Sequence, residues 1–305
     1  MKFLLLRINQ ESYVPSRIKE EAEKAGHELD IFGYQDLSFA FHPGMKIIFP
    51  GNRTTDRYNA CFLRVAGCRG GGYIGFRDNL IFQFLKQGKK CLNGGSYLAF
   101  SRLDKLTQHA YLSDAGLPLV ETVCFGKNTS RKEFVRTLTN RFGFPLITKP
   151  RFGSQGKGIF LLKNERDLQE FYRKMKDEGY QDSGLWLFQK FLTTGFDYRI
   201  IVLGGKVLGA MKRTAGSGMI VTNFSQGGLI DSAKIDKEAK KMALEAAALF
   251  RLDYAGVDIM EDKEGNKYIL EVNRACQFKG FEQATGVNVA AKIVQYLGSS
   301  SSRSH

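Results

Sequence analysis

The sequence predicts an α/β protein of two or three domains, and three observations carry that expectation. Its 305 residues exceed what a single hydrophobic core ordinarily organises. The chain opens strand–helix–strand, the βαβ pattern of a parallel sheet. Further on, helices alternate with strands, and the last strands pair as hairpins. Hydrophobic residues at 43% and charged residues at 25% are ordinary for a soluble globular chain.

Residues 2–8 read as a buried strand. Ser16 reads as the N-cap of a charged helix reaching about Ala25, with Gly26 as its stop. Residues 27–32 and 58–65 are strands, and 66–75 is a glycine-rich loop holding Arg69 and Tyr73. A helix near 78–87 and a strand near 90–92 close this first unit. A helix starting at Ser101 ends at Gly116 before Pro118; 120–125 is a strand and 131–142 a helix. Residues 144–150 form a strand carrying Lys149, and 151–162 continue it as a glycine hairpin. After a charged helix at 165–177, the apolar stretch 185–192 is a strand. Residues 197–213 read as a hairpin turning at Gly204-Gly205. An alanine-rich helix spans 236–251, a last helix spans 281–297, and 299–305 is a solvated tail.

The stretch 256–273 reads as a hairpin around Lys263-Glu264-Gly265-Asn266. With Glu264 and Gly265 as a two-residue loop, Asp262 faces Lys267, Met260 faces Ile269 and Asp258 faces Glu271. Val257, Ile259, Leu270 and Val272 then share an apolar face, with Asn273 on the polar face beside Glu271. Opposed like charges destabilise a hairpin by roughly 0.2–1 kcal/mol. A hard cation held by two carboxylates and an amide oxygen would compensate; the plainer reading is a surface hairpin whose acids are solvated.

Upstream, Gly153, Gly156 and Gly158 lie between two strands, with Lys149 before them and Lys157 among them. Such a hairpin lets backbone amides approach an anion. The spacing is not that of a Walker A loop. His109 sits mid-helix as a surface or packing histidine, without a nucleophile to partner it. Five scattered cysteines with no Cys-x-x-Cys argue against a disulfide framework or a zinc site and fit a reducing compartment. The 3–6 apolar run is too short for a signal sequence or a membrane span, so a cytoplasmic protein is expected. A net charge of +14 implies acidic partners such as nucleotides, anionic peptides or RNA.

Taken in order, Lys149, Ser154-Gln155-Gly156-Lys157-Gly158, Gln189 to Asp197, Arg213, Asn223, Asp258, Glu271 and Asn273 resemble the ATP-grasp superfamily. Within it the chain is most similar to the RimK-like α-L-glutamate ligases and the lysine-biosynthesis carrier-protein ligases. The resemblance implies an N-terminal pre-ATP-grasp domain (1–100), a central lobe (101–183) and a C-terminal lobe (184–298) that grip ATP. It implies that Lys149 and Lys105 reach the ATP phosphates, together with Ser154, Gln155 and Gly156. Gln189, Lys190, Phe191 and Leu192 match the strand that meets adenine, Asp197 the acid near the ribose, and Asn223 the phosphate and metal loop. Asp258, Glu271 and Asn273 match ligands of Mg²⁺, with Mn²⁺ the other candidate.

By the same resemblance, a substrate carboxylate is phosphorylated and an amine attacks the acyl phosphate. Arg199 and Arg213 are candidates for holding the tetrahedral oxyanion; surface salt bridges are the other reading of both. The substrates implied are an amino acid such as glutamate and a peptide, protein terminus or small metabolite, and relatives imply a dimer or tetramer. Two departures stand out: Lys190 replaces a glutamate, and Asn273-Arg-Ala-Cys-Gln-Phe-Lys-Gly280 lacks the usual Pro-Gly turn. Arg274 and Lys279 add positive charge suited to an acidic substrate, and Cys276 is a candidate site residue. The competing function is a non-catalytic ATP-binding module docked on an acidic ribosomal or RNA surface.

Overall fold

The structure is a computed structural model that describes residues 1–7, 13–41, 46–64, 72–126, 128–153, 158–177, 186–216 and 228–299. Ser154, Gln155, Gly156, Lys157 and Asn223 lie outside these residues.

The first unit is built on a parallel sheet of β1 (Lys2–Arg7), β2 (Glu28–Gly33), β6 (Ala60–Leu63) and β7 (Lys90–Leu92), in the order β2-β1-β6-β7. Phe3 to Leu6 are all fully buried, as expected for a parallel strand covered on both faces. Helix α1 (Tyr13–Lys24) connects β1 to β2 and starts before Ser16, which therefore lies inside it and is not its cap. A small antiparallel sheet of β3 (Ser38–Ala40), β4 (Lys46–Phe49) and β5 (Arg53–Thr54) was not anticipated. Helices α2 (Ile74–Lys86) and α3 (Gly94–Ala99) flank β7. Asn93, just before α3, adopts a left-handed φ of 61°.

Helix α4 (Lys105–Asp114) is capped by Asp104, whose carboxylate accepts from the Thr107 amide at 3.0 Å. A central antiparallel sheet follows, ordered β10-β9-β11-β8, from β8 (Thr122–Cys124), β9 (Leu146–Pro150), β10 (Phe160–Leu162) and β11 (Trp186–Lys190). Helices α5 (Arg131–Phe142) and α6 (Glu165–Asp177) contribute to its core, in which Phe134, Phe171, Trp186 and Phe188 meet edge to face or tilted. Strand β11, assigned to the C-terminal lobe by a division at 183/184, hydrogen-bonds within this central sheet.

The last sheet has the order β14-β13-β12-β15-β16. It comprises β12 (Phe196–Leu203), β13 (Lys206–Thr214), β14 (Leu229–Ala233), β15 (Tyr254–Glu261) and β16 (Lys267–Asn273). Gly204 and Gly205 both have positive φ, 55° and 71°, which the tight β12–β13 turn requires. Ile200, Val202, Val257 and Ile259 point to one face, against α7 (Lys237–Leu249). Ile201, Leu203 and Met211 point to the other, against α8 (Lys279–Thr285), α9 (Val289–Gly298) and the first unit. The single helix expected over 281–297 is divided: Gly286 ends α8 with φ 70°, and Asn288 caps α9.

Candidate active site

The β15–β16 hairpin carries the register expected at its base and a different one at its tip. Asp258 pairs with Glu271 and Gly256 with Asn273, but Ile259 pairs with Ile269 and Met260 with Tyr268. Asp262 causes the difference. Its Oδ1 accepts from the Glu264 and Asn266 amides at 3.0 and 2.8 Å, folding 262–266 into a longer loop than the two-residue turn. A bulge restores the alignment before Glu271. Ile269, fully buried, therefore takes the core place expected for half-buried Leu270.

Three strands bring charged side chains onto one sheet face. Asp197 pairs with Arg213 across β12–β13, and Arg199 with Asp258 across β12–β15. Arg199 grips Asp258 with two donors, Nε to Oδ1 at 2.7 Å and Nη2 to Oδ2 at 2.6 Å. Arg213 grips Asp197 likewise, at 2.6 and 2.8 Å, and its Nη2 also lies 3.0 Å from Asp258 Oδ2. The structure thus places both arginines in the interior rather than in surface salt bridges, with side chains 14% and 5% exposed. Burial pushes the Asp258 carboxyl up, but Arg199 and then Arg213 outweigh it and hold it below the usual carboxylate range. The charge that opposes Asp258 and Glu271 is therefore supplied largely by the protein.

Two lysines face the same carboxylates. Lys105 Nζ donates to the Gly153 carbonyl at 3.2 Å and lies 3.7 Å from Glu271 Oε1. The helix bearing Lys105 is fastened to β16 by Gln108, whose side-chain oxygen accepts from the Val272 amide at 2.7 Å. Lys149 is 7% exposed, and its pKa is pushed down to about 8, by burial above all and then by Lys105, with Glu271 and Asp258 opposing.

Gln189 is buried, and its amide donates to His109 Nε2 at 2.9 Å and to Thr122 Oγ1 at 2.6 Å. His109 Nδ1 sits 2.8 Å from the Lys105 carbonyl, so this network assigns the proton to Nδ1. Burial, then Lys149, pushes His109 down to about 4 and keeps it neutral. His109 is thus a packing histidine, not a surface one. Exposed Lys190 is the last residue of β11 in register with a neighbouring strand, so Phe191 and Leu192 follow beyond the pairing.

The segment after Asn273 is built into the core. Arg274 donates to the Phe100 and Ser101 carbonyls, at 2.5 and 3.0 Å, and lies over the Tyr97 ring. Arg64, 1% exposed, donates to the Ala275 and Cys276 carbonyls at 2.9 and 3.2 Å. Asn93 Nδ2 donates to the Tyr254 and Arg274 carbonyls, at 2.7 and 2.8 Å, and its Oδ1 accepts from the Tyr254 amide. Cys276 is a buried thiol packed on Gly256 and hydrogen-bonded to Tyr254 Oη at 3.0 Å; burial raises its pKa. No sequence signal singled out Arg64 or Asn93. Lys279 stays exposed beside the Tyr13 ring.

The donors at the cluster suit a hard cation. Among the described residues Glu271 meets only Lys105, at a distance too long for a hydrogen bond, Asp258 Oδ1 keeps a lone pair, and Asn273 lies two positions beyond Glu271 on the same strand. Among the described residues no group of three or more His, Cys, Asp or Glu side chains forms a metal set. A cavity of about 750 Å³ lined by Lys86, Lys89, Lys90, Asp253 and Tyr296 shares no residue with this cluster. Its Lys89 and Lys90 amines are committed to backbone carbonyls.

Residues 102–297 match the RimK-like ATP-grasp domain family. A probable alpha-L-glutamate ligase of Vibrio atlanticus is 30% identical over 97% of this chain and 95% of its own length. One from Shewanella loihica is 29% identical with the same coverage. Among solved structures, the ATP-grasp ligase PsnB complexed with a phosphomimetic precursor variant, Mg and ADP superposes with a TM-score of 0.74, at 21% identity and 97% coverage of both chains. The Chryseobacterium gregarium RiPP-associated ATP-grasp ligase, bound to ADP with leader and core peptide, gives 0.72 at 18% identity, over 97% of this chain and 96% of its own. At such identities the likeness extends to the fold. Among the described residues no helix is long and apolar enough to cross a membrane.

Proposed function

Because the chain belongs to the RimK-like ATP-grasp family and is an ATP-dependent ligase forming carbon–nitrogen bonds, we propose that it joins an amino acid such as glutamate to the carboxylate of an acidic peptide, protein terminus or small metabolite. The observation that supports the site assignment is the convergence of Lys105, Lys149, Glu271 and the Asp258–Arg199–Arg213 cluster from four separate segments. The full-length similarity to proteins named probable alpha-L-glutamate ligase, together with a net charge of +14, favours glutamate and an anionic acceptor.

In this reading Lys149 and Lys105 bind the ATP phosphates. With its pKa at about 8, Lys149 is charged at neutral pH and gains a partner when phosphate arrives. Ser154, Gln155, Gly156 and Asn223, which lie outside the described residues, are assigned to phosphate binding. The backbone beyond Lys190, at Phe191 and Leu192, meets adenine. Gln189 acts indirectly, through His109 and the Lys105 turn. Asp258, Glu271 and Asn273 would hold Mg²⁺, which shields the phosphate charge from an approaching carboxylate.

The substrate carboxylate oxygen bonds to the γ-phosphorus as the bond to ADP breaks. The amine nitrogen then bonds to the acyl carbon, phosphate leaves, and the amine gives up a proton. Arg213, anchored by Asp197, and Arg199 hold the oxyanion that develops. Incubation with ATP, Mg²⁺, the twenty amino acids and a library of acidic peptides is expected to give ADP, phosphate and a peptide heavier by one residue. Tight ATP binding with no ADP release from any pool would refute the substrate reading and favour a binding module.

A further inference from the structure

The two arginines at Asp258 are not equivalent. Arg213 has a carboxylate of its own: Asp197, 3% exposed, accepts from its Nε and Nη2 at 2.6 and 2.8 Å. Its reach to Asp258 is a single longer contact of 3.0 Å. Among the described residues Arg199 meets only Asp258 in hydrogen-bonded ion pairing, through both donors, at 2.7 and 2.6 Å. Asp258 thereby spends three of its four lone-pair positions on guanidinium groups. A divalent cation arriving at Asp258 and Glu271 must compete for those electrons and meet two positive charges. Arg213 can yield its one contact and stay neutralised by Asp197. Arg199 would be left without a carboxylate in a largely buried place, 14% exposed, where an unpaired charge is costly.

We propose that Arg199 is a transferable guanidinium. It is held on Asp258 until a divalent cation takes that carboxylate, and it then passes to a carboxylate or acyl-phosphate oxygen of the substrate, while Arg213 remains fixed on Asp197. This rests on the reading that Asp258 and Glu271 hold the cation. It makes Arg199 a substrate-binding residue that engages only once metal is in place, so carboxylate binding follows metal binding. Arg199 pairs with Asp258 across β12–β15, and its Cδ lies 3.6 Å from where a Gly256 Cβ would stand.

The test uses Mn²⁺ alone as the probe, followed through the free-ion electron paramagnetic resonance signal. Glu271→Gln should weaken Mn²⁺ binding at least tenfold; if it does not, the cation reading itself fails. With that established, Arg199→Gln should bind Mn²⁺ about tenfold more tightly than the unmodified protein, because a competitor is gone. Unchanged or weaker binding would show that Arg199 only orients Asp258 and would overturn the proposal. A second measurement needs no substitution. Phenylglyoxal labelling read by peptide mass should rise severalfold at Arg199 when Mn²⁺ is added, and not at Arg213. A rise at both, or at neither, would equally overturn it.

Discussion

Replacing Lys149 with methionine should stabilise the protein while weakening its grip on nucleotide. The side chain is 7% exposed, and burial draws its pKa from 10.5 to about 8. At about 1.36 kcal/mol per pH unit, holding the charged amine in the fold costs about 3 kcal/mol at any pH below 8. Methionine keeps the stem and removes the charge, so Lys149→Met should raise stability by about 1–3 kcal/mol, or several degrees in Tm for a chain of this size. The same change removes a charge-assisted bond to phosphate, worth about 1.5–3 kcal/mol, so the Kd for ADP should rise by roughly 10–150-fold. The pH dependence has a definite sign. Between pH 8 and 10.5 the unfolded chain holds the Lys149 proton and the folded chain has released it. Stability of the unmodified protein should therefore climb across that window relative to the variant, and the two curves should run parallel below pH 8. Thermal unfolding at several pH values and calorimetric titration with ADP measure both effects. A destabilised variant, or one that binds ADP as before, would refute the assignment of Lys149 as a buried charge kept for phosphate.

Asn93→Ala should cost at least about 3 kcal/mol by denaturant unfolding. It removes the hydrogen bonds to the Tyr254 amide and to the Tyr254 and Arg274 carbonyls and puts alanine at a φ of 61°. Asn93→Gly should recover only the backbone part, about 1 kcal/mol. Gly256→Ala would place a Cβ 2.8 Å from Cys276 Cβ and 2.9 Å from its Sγ, for a loss of about 1–3 kcal/mol. Adding Cys276→Gly removes both obstructing atoms and should return part of that stability in the double variant; strict additivity would show that the two do not collide.

How far the sequence carried the site can be judged on the β15–β16 hairpin. Counting outward from a two-residue turn reached the Asp258–Glu271 pair, yet the turn itself is longer. Asp262 satisfies two amides with its own side chain, which a strand-and-turn count does not weigh, and the bulge happens to cancel the one-residue error. The strand period was legible because Val257 and Ile259 must be buried; the bulge was not, because Ile269 and Leu270 are equally apolar. Helix starts were legible where a polar cap stood before them, as at Asp236; the helix expected from Ser101 begins instead at Lys105, behind its Asp104 cap. They were missed at Ser16, which had the right chemistry but lay within an already started helix. The partners of Asp258 were illegible for a different reason. Arg199 and Arg213 are 59 and 45 positions away in sequence, and only the pairing of β12 with both β13 and β15 brings them to one carboxylate.

That pairing also accounts for the altered segment after Asn273. On β12, residues 197, 199 and 201 alternate onto one face; on β13 the matching set is 209, 211 and 213. The outer positions are charged, Asp197, Arg199 and Arg213; the inner ones, Ile201 and Met211, enter the core with Cys276, Phe278 and Phe281. One sheet face therefore passes from ionic site to dry core within a single strand period, and Gly256 with Cys276 marks the passage. A Pro-Gly turn would hold this segment by backbone conformation. Here Phe278 and Cys276 hold it by burial, and Arg64, Asn93 and Arg274 supply the hydrogen bonds that such a buried loop needs. The substitution thus changes what fixes the wall of the site while leaving Asp258, Glu271 and Asn273 in register, so its consequence should fall on the choice of substrate before it falls on the binding of nucleotide.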